Sequence, residues 1–159
     1  MTDSGDRFQT AIGAFDEANS GDPRLVADGG SERPAELVYA ERMTRCLHDF
    51  APDSAEPVRL AARSQHICRW MIPRSDYPMD RRGYHRWRKR LAAFHAGKAG
   101  GILEQAGYDE GVIGKVRDLL EKRHLGSDPD AQLLEDVTCL VFLEFYLESF
   151  SRKHEEAKL

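Results

Sequence analysis

The chain has 159 residues, of which 41% are hydrophobic and 31% charged, and its formal net charge is −4. This composition is ordinary for a soluble globular protein with a single core. No run approaches the ~18 apolar residues that a membrane helix needs, and the acidic, polar N-terminus does not resemble a signal peptide. We therefore expect one domain over residues 1–159, without a membrane partner.

The cysteines indicate a reducing compartment. Cys46, Cys68 and Cys139 are odd in number, lie far apart and form no CxxC pair. Their apolar neighbours favour buried free thiols over a disulfide framework or a zinc knuckle. The expected location is the cytoplasm.

Helical periodicity dominates the chain, and no stretch shows the sustained alternation of a strand. In the first helix, Phe8, Ile12 and Phe15 recur at helical spacing. A loop rich in Asn, Gly, Asp and Pro follows over residues 19–34, and Gly107 is a C-cap glycine after the fourth helix. The predicted helices span residues 6–18, 35–50, 54–70, 83–106, 109–124 and 131–153.

The sixth helix carries the most apolar residues and is predicted to lie at the centre of the bundle. The predicted fold class is all-α. We expect a single-domain bundle of about six helices, with an N-terminal helix and loop over residues 1–34 and a bundle core over residues 35–154.

The stretch over residues 63–95 is strongly basic in an acidic protein. It holds nine Arg or Lys against two Asp, a local charge of +7. Arginine binds phosphate or carboxylate in a bidentate manner, and aromatic rings stack on bases or guanidinium groups. Because the pI is about 5.9, a small anion is the expected ligand and nucleic acid is not. The predicted substrate-binding residues are Arg63, Arg69, Trp70, Arg74, Tyr77, Arg82, Tyr84, Trp87 and Arg88.

A solvated basic face with two structural tryptophans is the alternative to this anion site. On the second helix, Glu36 and Glu41 flank Tyr39. Either carboxylate could face the same pocket, although such residues are more often surface charges, and Glu41 is the one included as a candidate.

Four predicted helices each offer a side chain that can bind metal. His66, His95 and His124 lie on three of them, and the Glu135–Asp136 pair lies early on the sixth. Imidazole and carboxylate together suit zinc, iron or manganese. The alternative for each histidine is a half-buried, hydrogen-bonded side chain.

Motifs along nearly the whole chain resemble those of the family catalogued as domain of unknown function 4202. They include Phe15-Asp16-Glu17-Ala18-Asn19, Gln65-His66-Ile67, Arg69-Trp70, Arg82-Gly83-Tyr84, Trp87-Arg88, Phe94-His95-Ala96 and Leu134-Glu135-Asp136-Val137.

The second half is also similar, more distantly, to the HD-type metal-dependent phosphohydrolases. Those proteins are all-α bundles that bind metal through histidines, a His-Asp pair and a late aspartate. The resemblance implies one divalent metal (zinc, manganese or iron) on His66, His95 and Asp136, with Glu135 as the alternative carboxylate ligand. Glu135 and His124 are the residues expected in catalytic roles. In this chain Ile67 replaces the aspartate of the pair, which leaves a single metal and no metal both open.

Two functions follow as expectations. The first is a small cytoplasmic HD-like hydrolase that acts on a substrate bearing phosphate or carboxylate. The second is a non-catalytic helical module that binds an anion or a nucleotide. A non-haem iron enzyme is a third reading of the same two histidines and carboxylate, and a homodimer stays open in each case.

Overall fold

Seven α-helices and one β-hairpin make up the part of the chain that the computed structural model describes, residues 4–158, with side chains over residues 5–153. Residues 1–3 and 159 of the predicted domain lie outside the described residues. The elements are α1 (Ser4–Asn19), β1 (Leu25–Asp28), β2 (Ser31–Pro34), α2 (Ala35–Phe50), α3 (Glu56–Ser64), α4 (Arg81–Gln105), α5 (Glu110–Leu120), α6 (Pro129–Val141) and α7 (Leu147–Lys158). The predicted all-α class is therefore confirmed.

The short helix α3 lies at the centre of the bundle, in place of the predicted sixth helix. It packs against α1, α2, α5 and α6, and Val58, Leu60, Ala61 and Ala62 are all buried. The two alanines are small, so neighbouring helices can approach closely. By contrast, α6 buries one face, and the apolar residues from Leu140 onward are largely exposed.

The predicted loop over residues 19–34 contains the hairpin. β1 pairs with β2 in an antiparallel register in which Leu25 faces Pro34. Gly29 and Gly30 form the turn with φ of 58° and 88°, a conformation that glycine adopts without steric cost. Strands of four residues are too short to show the alternation that a sequence search relies on, which is why they were not predicted.

The third helix ends at Ser64, well before the predicted Trp70, and His66 lies in the turn that follows. The cause is Cys68, whose φ of 54° lies in the left-handed region and cannot continue a right-handed helix. The backbone N–H of Cys68 donates to Oδ1 of the buried Asn19 at 3.0 Å. A side chain at the end of α1 thus holds the turn that carries His66.

The first turn of α4 packs tightly against the loop that precedes it. Asp80 caps it, since its Oδ1 accepts from the backbone N–H of Gly83 at 2.7 Å. A Cβ on Gly83 would lie 1.9 Å from the carbonyl oxygen of Pro78, so only glycine fits there. The predicted C-cap at Gly107 has φ of 96° and is confirmed.

The three thiols are free, as expected, but they differ in burial. Cys68 is buried, Cys46 is half-buried and Cys139 is exposed, so the expectation of buried thiols is wrong for Cys139.

No described helix combines the length and apolar character needed to cross a membrane.

Candidate anion site

Two imidazole rings meet where the turn after α3 approaches α4. The rings of His66 and His95 lie 6.1 Å apart between centroids, with 29° between their planes. Nδ1 of His95 lies 2.8 Å from the carbonyl oxygen of Ile67. Because a carbonyl only accepts, this nitrogen carries the proton in the neutral ring and Nε2 keeps its lone pair.

Both histidines are held in their uncharged form. Burial is the largest cause that lowers the pKa of His95, and together with the neighbouring His66 and Arg69 it brings the pKa to about 3, against the opposing hydrogen bond to Ile67. Burial also lowers the pKa of His66, although Glu36 acts in the opposite direction. At neutral pH the two rings therefore present hydrogen-bonding nitrogens without added charge.

Glu36 supplies a buried carboxylate behind His66. Its Oε2 lies 3.6 Å from Nδ1 of His66, and its Oε1 lies 3.4 Å from Nη2 of Arg24. Burial would raise the pKa of this carboxyl group, but His66, Arg69 and Arg24 together hold it below its ordinary value. Glu36 is therefore an anion that can orient His66 and stabilise its protonated form.

Two elements fix the position of Glu36 and His66. Asp22, in the segment before the hairpin, accepts the backbone N–H of Glu36 on its Oδ2 at 2.9 Å. Tyr39, one turn further along α2, stacks on His66 with ring centroids 3.9 Å apart and planes 7° from parallel. One face of the His66 imidazole therefore packs flat against the Tyr39 ring.

Arg69 and Arg88 line the same pocket without an acidic partner. In the part of the chain that the structure describes, no carboxylate oxygen lies within 4.0 Å of either guanidinium group. Arg69 lies 5.2 Å from the centre of the Trp87 ring, and burial lowers its pKa, while Glu36 opposes that change. These two cations are half-buried and uncompensated at short range.

The pocket is small, and its lining carries three cationic side chains, Arg69, Arg88 and Lys122, against one carboxylate, Glu135. It encloses about 40 Å³, where a single water needs roughly 10–15 Å³ by a comparable measure, so it suits the head group of a small anion. Lys122 lies at its rim, 3.1 Å from Oε1 of Glu135. The lining residues are Gln65, His66, Arg69, Arg88, Leu91, Ala92, His95, Leu119, Leu120, Lys122 and Glu135.

The structure brings together five of the fourteen predicted site residues, and the other nine do not line the pocket. The pocket contains His66, His95, Arg69, Arg88 and Glu135. The predicted ligand Asp136 is exposed, and its Oδ1 accepts from Gln132 on the outer face of α6. The predicted catalytic His124 is also exposed, in the turn after α5 and 4.0 Å from Asp118.

Within the described ranges, no group of three or more His, Cys, Asp or Glu side chains is arranged to hold a metal ion. The two imidazoles converge, but the third predicted ligand, Asp136, does not join them because it faces the opposite side of its helix from Leu134 and Val137. The carboxylate of α6 that does reach the pocket is Glu135.

The remaining predicted substrate-binding residues do not line this pocket. Arg63 binds Asp16 in a bidentate pair with both distances 2.8 Å. Arg74 donates to the carbonyl oxygens of Tyr77, Pro78 and Asp80.

The aromatic members of the set have structural surroundings or lie at the surface. Trp87 donates from Nε1 to the carbonyl of Ile72 at 2.8 Å, and Trp70 packs on the core. Tyr84 and Arg82 are exposed and Tyr77 is half-buried.

The sequence singled out the helix that carries Glu36, but the carboxylate that we selected on it was Glu41. Glu36 lies behind His66, whereas Glu41 is bidentate to Arg33 at 2.6 and 2.7 Å. The i, i+3 spacing of Glu36 and Tyr39 is the signal that could have paired them on one face. Asn19, Asp22 and Lys122 carry no such signal.

A family model described as "Domain of unknown function (DUF4202)" matches residues 9–159. Neither a curated protein nor a solved structure gives a match.

Proposed function

The chain belongs to the DUF4202 family of domains of unknown function, and from this premise we propose that it is a cytoplasmic module that binds a small phosphate or carboxylate anion. The anion would occupy the pocket formed by the turn after α3 together with α4, α5 and α6. One observation carries the proposal. Arg69 and Arg88 are half-buried cations without a carboxylate partner among the described residues, and both line a pocket of about 40 Å³.

Electrostatics favour an anion at this position. Desolvated guanidinium groups are costly unless they are paired, and an oxyanion supplies the bidentate acceptor that Arg prefers. The two neutral imidazoles add hydrogen-bonding atoms beside the cations. Because His95 offers a lone pair at Nε2, an anion that still carries an O–H group, such as hydrogen phosphate, is the ligand that suits the pocket best.

The test is calorimetric titration with inorganic phosphate and with small carboxylates, in the presence of EDTA. Arg69→Met and Arg88→Met keep the length of the side chain and remove its charge. Each is expected to weaken phosphate binding roughly 10- to 100-fold, the range for one lost charge-assisted hydrogen bond.

The matched control is Arg82→Met, because Arg82 belongs to the same basic stretch but is exposed and does not line the pocket. It is expected to bind phosphate within about twofold of the unmodified chain. Binding that is absent, or that Arg82→Met weakens as much as Arg69→Met does, would contradict the proposal.

Metal-dependent hydrolysis of HD-like type is a second candidate function, and one observation favours it. The hydrogen bond from His95 to Ile67 leaves Nε2 unprotonated, and burial keeps protons from competing for that nitrogen. Neutral imidazoles are good ligands for zinc, manganese or iron. A divalent cation bound there would supply an activated water for attack on a phosphoester.

The chain's own residues would then hold the anionic substrate and orient the metal ligands. Arg69 and Arg88 would bind the phosphate oxygens, and Glu36 would orient the imidazole of His66. Glu135 lines the same pocket and is the carboxylate available as a further ligand.

Metal content separates the second candidate from the first. Chain purified without chelator is expected to retain about one equivalent of metal by elemental analysis if the site is that of a hydrolase. His66→Gln should abolish metal binding. His124→Gln, at an exposed histidine, should leave the metal content unchanged. Sub-stoichiometric metal that is unchanged by His66→Gln would leave the anion-binding module as the function.

A further inference from the structure

A second pocket lies between α1, α2 and α3, and it shares no lining residue with the anion site. It encloses about 400 Å³, which is within the ~300–1,000 Å³ of pockets that hold small organic molecules. The anion site, at about 40 Å³, has room only for a head group. The second pocket is therefore large enough for a ligand with a hydrocarbon body.

The apolar lining of this pocket comes mainly from the edge of α1. On that helix Ala11 and Phe15 are fully buried, whereas Phe8 and Ile12, one turn apart, are half-buried and line the pocket. Leu47 of α2 lies opposite them in the lining and is only 2% exposed. Because most of the lining surface is apolar, the pocket favours an apolar group that leaves water.

The charged residues that line the pocket are both arginines. They are Arg59 and Arg63, and no described Asp or Glu side chain lines it. Arg63 is already neutralised by its bidentate pair with Asp16. The nearby carboxylate of Glu41 on α2 is likewise paired, with Arg33. Arg59 is therefore the one lining cation whose charge is not balanced within the described part of the chain.

Arg59 lies at the apolar rim with its donors unused. Its guanidinium group is 5.1 Å from the centre of the Phe8 ring, a cation–π contact that holds it beside the pocket. Among the described residues, no carboxylate oxygen lies within 4.0 Å of it. Asp49 lines a separate pocket, and Asp53 is exposed and does not line this one.

We propose that this pocket binds a small organic acid that has one carboxylate and an apolar body. The body lies against Phe8, Ile12 and Leu47, and the carboxylate accepts hydrogen bonds from Arg59 in the bidentate manner that guanidinium groups favour. One unbalanced cation matches one negative charge, so a monocarboxylate suits the pocket better than a dianion does. An apolar lining with a single charged group at its rim is a common design of small-molecule sites.

The experiment is an NMR titration of the full chain with sodium octanoate. Octanoate is expected to bind with a dissociation constant below about 1 mM and to shift the methyl signals of Ile12 and Leu47. Octanamide has the same body without the charge and should bind about tenfold more weakly. Acetate keeps the carboxylate without the body and should not saturate these shifts.

Two variants test the role of the charge. Arg59→Met keeps the length of the side chain and removes its charge, so it should weaken octanoate binding about tenfold and should not weaken octanamide binding. The matched control is Arg45→Met, because Arg45 is an exposed arginine of α2 that lines a different pocket. It should bind octanoate within about twofold of the unmodified chain.

The anion site provides the second control, because its arginines could also attract a carboxylate. Arg69→Met should leave octanoate binding unchanged, and an excess of inorganic phosphate should not displace octanoate. Octanoate that does not bind, that binds no more tightly than octanamide or that phosphate displaces overturns the proposal, as does an equal loss in Arg45→Met. A dimer in sedimentation equilibrium that octanoate dissociates would assign the pocket to a second copy of the chain and overturn it as well.

Discussion

At the scale of single residues, burial decides the chemistry of the two histidines more than their charged neighbours do. Burial is the largest cause of the lowered pKa of both His66 and His95, and Glu36 raises the pKa of each only in part. A folded chain therefore holds two imidazoles uncharged at a pH where the unfolded chain would protonate them.

Acid should destabilise the protein through these groups. Below pH 6.5 the unfolded state binds a proton at His95, whereas the folded state resists protonation until about pH 3. The unfolded state then holds more protons, so the free energy of unfolding falls as the pH drops, by ~1.4 kcal/mol per pH unit for one fully linked site. The lowered pKa of His66 acts in the same direction.

Urea unfolding between pH 7 and pH 4 measures this effect. His95→Gln keeps an N–H donor for the Ile67 carbonyl and removes the titrating group, so it should flatten the dependence on pH. His124→Gln, at an exposed histidine, should leave the dependence unchanged. If the free energy of unfolding falls with pH at the same rate in the unmodified chain and in His95→Gln, burial of His95 does not control acid stability.

At the scale of elements, the start of α2 depends on a residue far from it in sequence. Pro34 precedes the helix and makes no side-chain cap, and Asp22 accepts the N–H of Glu36 instead. The same carboxylate accepts the N–H of Arg24 at 2.9 Å, so it fixes the chain on both sides of the hairpin. This cap also positions the carboxylate that faces His66.

Asp22→Ala should therefore lower both stability and phosphate affinity. The loss of an N-cap costs ~1 kcal/mol of unfolding free energy, and a buried cap more. Asp109→Ala removes the local cap of α5, where Asp109 accepts from Val112 at 2.9 Å, and should lower stability alone. The measurements are thermal unfolding and phosphate titration, and equal phosphate affinity in both variants would argue against a positioning role for Asp22.

Helix boundaries show where sequence patterns stop being informative. The predicted start of α4 lies within two residues of the observed one, because Asp80 and Gly83 are local signals for a helix start. The predicted end of the third helix is wrong by six residues, since the left-handed φ of Cys68 is supported by Asn19, 49 residues away. A contact of that range has no trace in local periodicity.

At the scale of the whole molecule, the arginines of the basic stretch over residues 63–95 have different structural roles. Its charge predicted an anion site, but composition could not show that Arg63 is paired with Asp16 or that Arg74 binds backbone carbonyls. Two guanidinium groups remain for the pocket, Arg69 and Arg88. The all-α class follows from periodicity alone, whereas the members of the site depend on how α2, the turn after α3, α4, α5 and α6 pack.

The pocket draws its walls from residues spread between positions 65 and 135, with Glu36 behind them. No single helix or neighbouring pair of helices contains it, so it exists only once the entire bundle is assembled. An anion held there is consequently coupled to global rather than local unfolding. Its occupancy would slow amide hydrogen exchange throughout the bundle, including in α1, which does not line the pocket.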